Sequence, residues 1–373
     1  MRTVDAAGLK IGDGHPPRIM GVLNVSAESP YDPSVFDDPG AAAEYVEKQL
    51  IDEGADIVDV GLESANKRFE VLSVDEELER LETAVETLHS TAGNVVWSIE
   101  TRYHEVAEAA LDAGFEMVND ICGFADPKMP TVCAEYDVAV SKMASPPDLT
   151  RPGAISNVDD IFEALEQNGF TEKTIIDPAF GGWSEAKTTD DDRETFDRLR
   201  EFRGYGRPIL VSINRKNFLR EIAGRDTEGA LSVSLAATSM AVERGAHVIR
   251  THDVAETRDA ALVGHEFKRT RTQNAELEEH DVTTDREVLR HVTPTAEEST
   301  PAVITYVVEL STVGNDPTRL IEAAEKDGLT AFSGDEIVLA GTVSEFESFS
   351  ASIRDEFPNE SDAIARFCTK KRV

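Results

Sequence analysis

The chain has 373 residues, enough for one large hydrophobic core and a second, smaller one. Its 37 Lys and Arg stand against 72 Asp and Glu, a formal net charge of −35. That surface repels nucleic acid and anionic membranes, which excludes both as expected partners and fits adaptation to high salt, where screening relieves self-repulsion.

The amino terminus lacks the charged-then-apolar pattern of a signal peptide, and no apolar run is long enough to span a bilayer, so the expected location is the cytoplasm. Cys122, Cys133 and Cys368 are odd in number and show no CxxC spacing. They read as buried structural thiols, not as a disulfide framework or a zinc site.

Residues 1–18 hold two Gly-centred turns and then Pro16-Pro17, the pattern of a hairpin or cap across a barrel floor. Eight short apolar runs follow, and each stops at polar residues. They are Ile19 to Val25 with Asn24, Ile57 to Leu62 with Glu63 and Ser64, Val95 to Ile99 with Glu100, and Met117 to Val118 with Asn119 and Asp120. The series continues with Val138 to Val140 and Lys142, Ile175 to Ile176 and Asp177, Ile209 to Ile213 with Asn214 and Lys216, and Val248 to Ile249 with Arg250 and His252. Helical periodicity falls near 40–53, 75–92, 103–114, 127–136, 157–169, 190–203, 227–244 and 255–266. Apolar strands alternating with helices predict a parallel sheet covered on both faces, and eight such units predict a (β/α)8 TIM barrel over residues 1–267.

Residues 268–300 turn polar and read as an acidic linker. Residues 301–373 read as a small α+β module: a strand at 302–310, a helix at 317–326, a strand pair at 330–342 and a helix at 343–357. Catalytic residue types do not cluster there, so packing, oligomerisation or regulation is its expected role.

In this fold the polar residues at the carboxyl ends of the strands line the active site, which makes an enzyme the expected class. Glu100, Asn119 and Asp177 offer acceptors suited to a flat heterocycle with several N–H donors. Lys216, Arg250 and His252 come from the seventh and eighth units, where barrels commonly bind phosphate. The inferred ligand is a polar heterocycle with a phosphate or pyrophosphate tail.

The segments Ile19-Met20-Gly21-Val22-Leu23-Asn24-Val25, Gly54-Ala55-Asp56-Ile57-Val58-Asp59-Val60-Gly61, Val118-Asn119-Asp120-Ile121, Ile176-Asp177-Pro178, Asn214-Arg215-Lys216 and Arg250-Thr251-His252-Asp253-Val254 resemble, in order, the motifs of the dihydropteroate synthase family. The resemblance spans about residues 15–267. It implies joining of a pterin methylene to the amine of p-aminobenzoate or a related arylamine, with loss of pyrophosphate. It further implies that Asn24 helps to hold Mg2+ and that Asn119, Asp177 and Lys216, with Glu100 in place of the usual Asp, bind the pterin. Ser64, Arg250 and His252 would bind pyrophosphate, with Lys216, Arg250 and His252 the catalytic set, and a homodimer would form through the outer helices.

Four departures bear on the substrate more than on the fold. Glu100 is one methylene longer than the usual Asp. Ser64-Ala65-Asn66 replaces Ser-Thr-Arg, with Lys67, Arg68 and Arg102 as substitutes for the lost cation that read more simply as solvated surface. The first loop, Ser26-Ala27-Glu28-Ser29-Pro30, and the loop Ala179-Phe180-Gly181-Gly182-Trp183 also differ. The alternatives are a non-catalytic pterin-binding paralogue and a pterin-dependent methyltransferase, the latter opposed by the phosphate-binding cations.

Overall fold

The computed structural model describes residues 1–26, 32–63, 71–150, 152–181, 187–269, 279–292, 304–310, 317–333 and 337–371. The chain divides into two compact units, Met1–Leu277 and Glu278–Val373.

The first unit opens with an antiparallel hairpin, β1 (Val4–Ala6) and β2 (Leu9–Ile11). Ala7 and Gly8 at its turn both take positive φ, 50° and 95°, the geometry that a two-residue hairpin needs to match strand twist. Eight parallel strands follow: β3 (Arg18–Asn24), β4 (Ile57–Gly61), β5 (Val96–Thr101), β6 (Met117–Asp120), β7 (Ala139–Met143), β8 (Thr174–Asp177), β9 (Leu210–Val211) and β10 (Val248–Thr251). They pair in the order β8-β7-β6-β5-β4-β3-β10-β9. A single parallel bridge, Ile176 with Ile209, joins the two ends and closes the barrel.

Alternate residues of a strand face opposite sides, so each strand supplies both an inner and an outer core. Met20, Ile57, Val96, Met117, Ala139, Ile175, Leu210 and Val248 form one apolar cluster with Val4, Ala6 and Ile11 of the hairpin, which therefore plugs the amino-terminal end as expected. The outer residues Ile19, Val58, Val60, Ile99, Val118, Val140, Ile176, Val211 and Ile249 pack in the larger cluster with the surrounding helices.

Those helices are α1 (Pro39–Tyr45), continued by a wider turn over Val46–Ile51, α2 (Val74–Ser90), α3 (His104–Asp112), α4 (Met129–Glu135), α5 (Val158–Glu166), α6 (Thr189–Asp197), α7 (Asn217–Ala223), α8 (Leu231–Glu243) and α9 (Val254–Glu266). Capping boxes start α2 (Ser73 with Glu76) and α6 (Thr188 with Asp191).

Two helical readings change. The helix expected to reach 203 tightens into a 3-10 segment, Leu199–Tyr205, closed by Gly206 in the left-handed region. A further helix, α7, begins directly after Lys216; its seven residues are too few for an apolar period to stand out. Glu77 of α2 is buried and accepts the Thr101 hydroxyl at 2.6 Å. Burial pushes its carboxyl up to about 7.

The second unit contains α10 (Asp285–Val292), β11 (Thr305–Leu310), α11 (Pro317–Lys326), β12 (Thr330–Ser333), β13 (Ile337–Thr342), α12 (Val343–Ile353) and α13 (Pro358–Lys371). Its sheet runs β11-β13-β12, all antiparallel. Leu320, Leu339, Phe346, Phe349 and Ile364 are among the residues of its separate core. Helix α10 lies in the stretch whose composition reads as linker, and α13 was not expected. The turn residues Gly334 and Asp335 lie outside the described residues. No helix among the described residues is long and apolar enough to cross a membrane.

Candidate active site

Above the apolar floor the inner positions turn polar. Asp59, in the middle of β4, is fully buried and accepts three side-chain hydrogen bonds. Ser98 Oγ donates to Oδ1 at 2.7 Å, and Asn119 Nδ2 and Arg250 Nε donate to Oδ2 at 3.0 and 2.7 Å. Strand register explains the gathering, because Asp59 pairs with Ser98 across β4 and β5 and Glu100 pairs with Asn119 across β5 and β6. With its amide nitrogen committed to Asp59, Asn119 turns its oxygen elsewhere as an acceptor.

Arg250 also reaches Glu100, Nη2 donating to Oε2 at 2.6 Å. Burial opposes its charge, but Glu100 and Asp59 beside it outweigh that and hold the guanidinium firmly protonated. Burial pushes the Glu100 carboxyl upward while Arg250 pulls it back. Asp177, at the end of β8, accepts the Ala179 N–H at 2.7 Å. Burial lifts its carboxyl to about 6, against the pull of that hydrogen bond and of Lys216, Arg250 and Lys187.

Lys216 ends the loop before α7. Burial, with Arg250 nearby, brings its ammonium down to about 8. A Cβ at Gly181 would lie 2.9 Å from Lys216 Nζ, and Gly181 has φ +123°, so glycine there admits the lysine head. Lys187, also buried, donates to the Ala179 carbonyl, and Asp192 accepts the Gly181 N–H at 3.1 Å, which holds this loop.

On the other side of the cup, Asn24 Nδ2 donates to Ser34 Oγ at 2.9 Å, and Ser34 Oγ lies 3.2 Å from His252 Nδ1. Burial, reinforced by Arg250, lowers His252 to about 3, so its ring is neutral. A Ser34 hydroxyl that donates to Nδ1 would leave the ring proton on Nε2 and make that nitrogen a donor. Asp253 ties the last two strand ends together. It takes both arms of Arg215 at 2.8 Å each and Asn214 Nδ2 at 2.9 Å. Arg215 sits at φ +54°, a strained conformation for a side-chain-bearing residue that these bonds stabilise, and it sets the direction of Lys216.

The cup therefore holds buried acceptors and buried cations within electrostatic reach of one another, a composition suited to a heterocycle carrying an anionic tail. The sequence profile of the family described as "Pterin binding enzyme" matches residues 20–252. The chain belongs to the pterin-binding enzyme family. It is 33% identical over 242 residues to a dihydropteroate synthase of Bacillus subtilis, covering 63% of this chain and 83% of that relative. A probable bifunctional folylpolyglutamate synthase/dihydropteroate synthase of Haloferax volcanii is 34% identical over 251 residues, and there the match covers 64% of this chain but only 29% of the longer protein. Among solved structures, a Coxiella burnetii dihydropteroate synthase in complex with pteroic acid superposes with a TM-score of 0.61 at 27% identity, over 72% of this chain and 99% of that one.

Against that family frame, Asn24, Glu100, Asn119, Asp177, Lys216, Arg250 and His252 all gather at the cup, while Ser64, Lys67 and Arg68 lie outside the described residues. Three polar strand endings face elsewhere. Lys142 points outward and donates to the carbonyls of Leu165, Gln167 and Gly169 at and beyond the end of α5. Asp120 accepts the N–H groups of Cys122 and Phe124, and Asn214 is taken up by Asp253. Arg102 is not solvated surface: it is buried and pairs with Glu63 at 2.8 Å.

Asp59, quoted in a motif but given no role, and Ser98 and Ser34 are the site residues that the sequence reading did not assign. Asp59 and Ser98 sit inside runs read as apolar, although period-two alternation from Ile57 and Val96 points both inward. Among the described residues, the His, Asp and Glu group close enough to share an ion is His104, Glu105 and Asp126, at the start of α3, where Asp126 already accepts the His104 backbone N–H.

Proposed function

We propose that the barrel is a dihydropteroate synthase. It joins the methylene carbon of 6-hydroxymethyl-7,8-dihydropterin pyrophosphate to the amine of p-aminobenzoate, or of a related arylamine, and releases pyrophosphate. The observation that carries this reading is one cup in which Asp59 organises both an acceptor for the ring, Asn119, and a cation for the tail, Arg250.

Glu100, Asn119, Asp177 and Lys216 bind the pterin, and Arg250 and His252, with Ser64, bind the pyrophosphate. As the C–N bond forms, the C–O bond breaks, its electron pair leaves with pyrophosphate, and the amine nitrogen gives up one proton to solvent. Arg250, charged throughout, and the Nε2–H of neutral His252 stabilise that leaving charge. The ring contacts hold the carbon in line with the amine, so positioning and electrostatics suffice without a covalent nucleophile. The complexes of related enzymes, with pteroic acid in Coxiella burnetii dihydropteroate synthase and with 4-aminobenzoic acid in that of Xanthomonas albilineans, support both organic substrates.

Asn24 fits a role in holding Mg2+. Its nitrogen is engaged by Ser34, and its Oδ1 lies 3.1 Å from where a Gly61 Cβ would be, so glycine leaves the oxygen uncovered. Hard cations take such oxygens together with substrate phosphates. When bound, the ion supplies positive charge to the departing pyrophosphate.

A homodimer through the outer helices is supported by Met240, Leu262 and Val263, apolar side chains 46%, 40% and 52% exposed on the adjoining helices α8 and α9. A cytoplasmic location is supported by three buried, unbridged cysteines.

The test is pyrophosphate release by the full chain in high salt, with Mg2+, the pterin pyrophosphate and p-aminobenzoate each omitted in turn. Release that needs both organic substrates is expected. Binding of the pterin pyrophosphate without release, whatever arylamine is supplied, overturns the catalytic reading in favour of a binding paralogue.

A further inference from the structure

Arg250 is gripped by two carboxylates of different character. Asp59 is fully buried, and Ser98 and Asn119 also donate to it, so it is fixed. Glu100 stands higher in the cup, its side chain 11% exposed, with Oε2 on Arg250 Nη2 at 2.6 Å. Its second oxygen lies 3.7 Å from where a Gly61 Cβ would be, over the same glycine as Asn24 Oδ1. The acceptor for the ring and the cation for the tail are thus each other's partners before a ligand arrives.

That contact sets the two halves of the ligand in relation. Heterocycle N–H donors compete with Arg250 for Glu100, and pyrophosphate oxygens compete with Glu100 for Arg250. Pyrophosphate binding alone draws Arg250 from Glu100 and leaves that carboxylate in a poorly solvated place without its cation, whereas heterocycle binding alone leaves Arg250 held by Asp59 only. Both halves together exchange one ion pair for another, between Arg250 and pyrophosphate, and for a charge-assisted hydrogen bond from the heterocycle to Glu100.

We propose that Glu100 is a positioning residue that couples the two subsites, so that occupation of the heterocycle subsite strengthens pyrophosphate binding and the reverse by the same factor. Reciprocity follows from linkage. An aspartate would end one methylene short of Arg250, so the length of Glu100 is the feature that creates the coupling. After transfer, the ion pair re-forms between Glu100 and Arg250 and displaces the cleaved pyrophosphate. The inference rests on the proposed reading of the cup as a pterin and pyrophosphate site.

The experiment measures the Kd of 6-hydroxymethylpterin, which lacks the phosphates, with and without saturating inorganic pyrophosphate and Mg2+, on the full chain in high salt. It then measures the Kd of pyrophosphate with and without the pterin. In the native protein each ligand is expected to tighten the other about tenfold, within the usual range for coupled sites. In Glu100→Asp, which keeps the carboxylate but withdraws it from Arg250, and in Glu100→Gln, which keeps the length but removes the charge, the ratio is expected to fall below about twofold while both ligands still bind. A ratio that is one in the native protein, or unchanged in both variants, overturns the coupling and leaves the function intact. A native protein that binds pyrophosphate but no pterin under any condition overturns the proposed function, and the coupling with it.

Discussion

Replacing Asp59 with Asn tests the organisation of the cup most directly, because the two side chains share a shape and differ in charge and hydrogen-bonding sense. The substituted amide would present at most one acceptor oxygen to three donors, from Ser98, Asn119 and Arg250. Hydrogen bonds to a charged group contribute about 1.5–3 kcal/mol each, and removing one member of a buried ion pair costs about 3–5 kcal/mol. Arg250 keeps Glu100 and its side chain is 17% exposed, so water recovers part of the loss. The expected destabilisation is therefore at the lower end, about 3 kcal/mol, or a fall in Tm of about 6–12 °C for a unit of this size. Salt should change this little, since the pair is buried. Asn119 and Arg250 also lose their aim, and pterin affinity should drop about tenfold, the equivalent of about 1.4 kcal/mol. Scanning calorimetry and pterin titration measure both. A melt within about 2 °C of the native protein, together with unchanged affinity, refutes the view that Asp59 organises the site.

The pH profile gives a second test. Asp177, at about 6, must be ionised to accept, and Lys216, at about 8, must be charged to donate, so pyrophosphate release should rise through the first value and fall through the second. Asp177→Asn should remove the acid limb and Lys216→Arg the alkaline one; a profile flat across both values refutes the assignment. Both shifts oppose folding near neutrality. The Asp177 contribution is full below its ordinary 3.8 and lost as pH rises through about 6, whereas that of Lys216 is full above 10.5 and lost as pH falls through about 8. Lys142→Met strips donors from three carbonyls and a cation 4.9 Å from the Phe124 and Phe170 rings. It should destabilise by about 3 kcal/mol without altering pterin affinity, and a loss of affinity in the folded variant would return Lys142 to the site. Gly264→Ala places a Cβ 2.3 Å from the Ser239 carbonyl, so α8 and α9 must separate, at a cost of about 2–3 kcal/mol by thermal melt. A neutral result would mean that these helices are not in close contact.

The barrel was legible because its parallel strands are buried on both faces and appear as near-continuous apolar runs, such as Ile57 to Leu62. The same property concealed Asp59, whose charge inside such a run is compensated by partners on β5, β6 and β10, far away in sequence. Polar strand endings indicated the right end of the barrel but not the side each residue faces. Glu100 and Asn119 enter the cup, while Lys142 caps the carbonyls at and beyond the end of α5. Arg102 looked like a surface charge, and only the packed structure shows it inside, as it does Glu77, because their partners Glu63 and Thr101 are specified by tertiary geometry. In the second unit the alternation of β13 was readable, but α10 was hidden by its Asp, Glu, Arg and His content.

The bridge between Ile176 and Ile209 joins β8 to β9 at one register position, whereas every other neighbouring pair in the barrel shares two or more. Asp177 leaves the wall on one side of that seam, and Lys216 follows the two-residue β9 on the other. A ligand that engages both residues acts as a brace across the least stitched part of the cylinder. The seam is also where an insertion or deletion would break the fewest strand pairings.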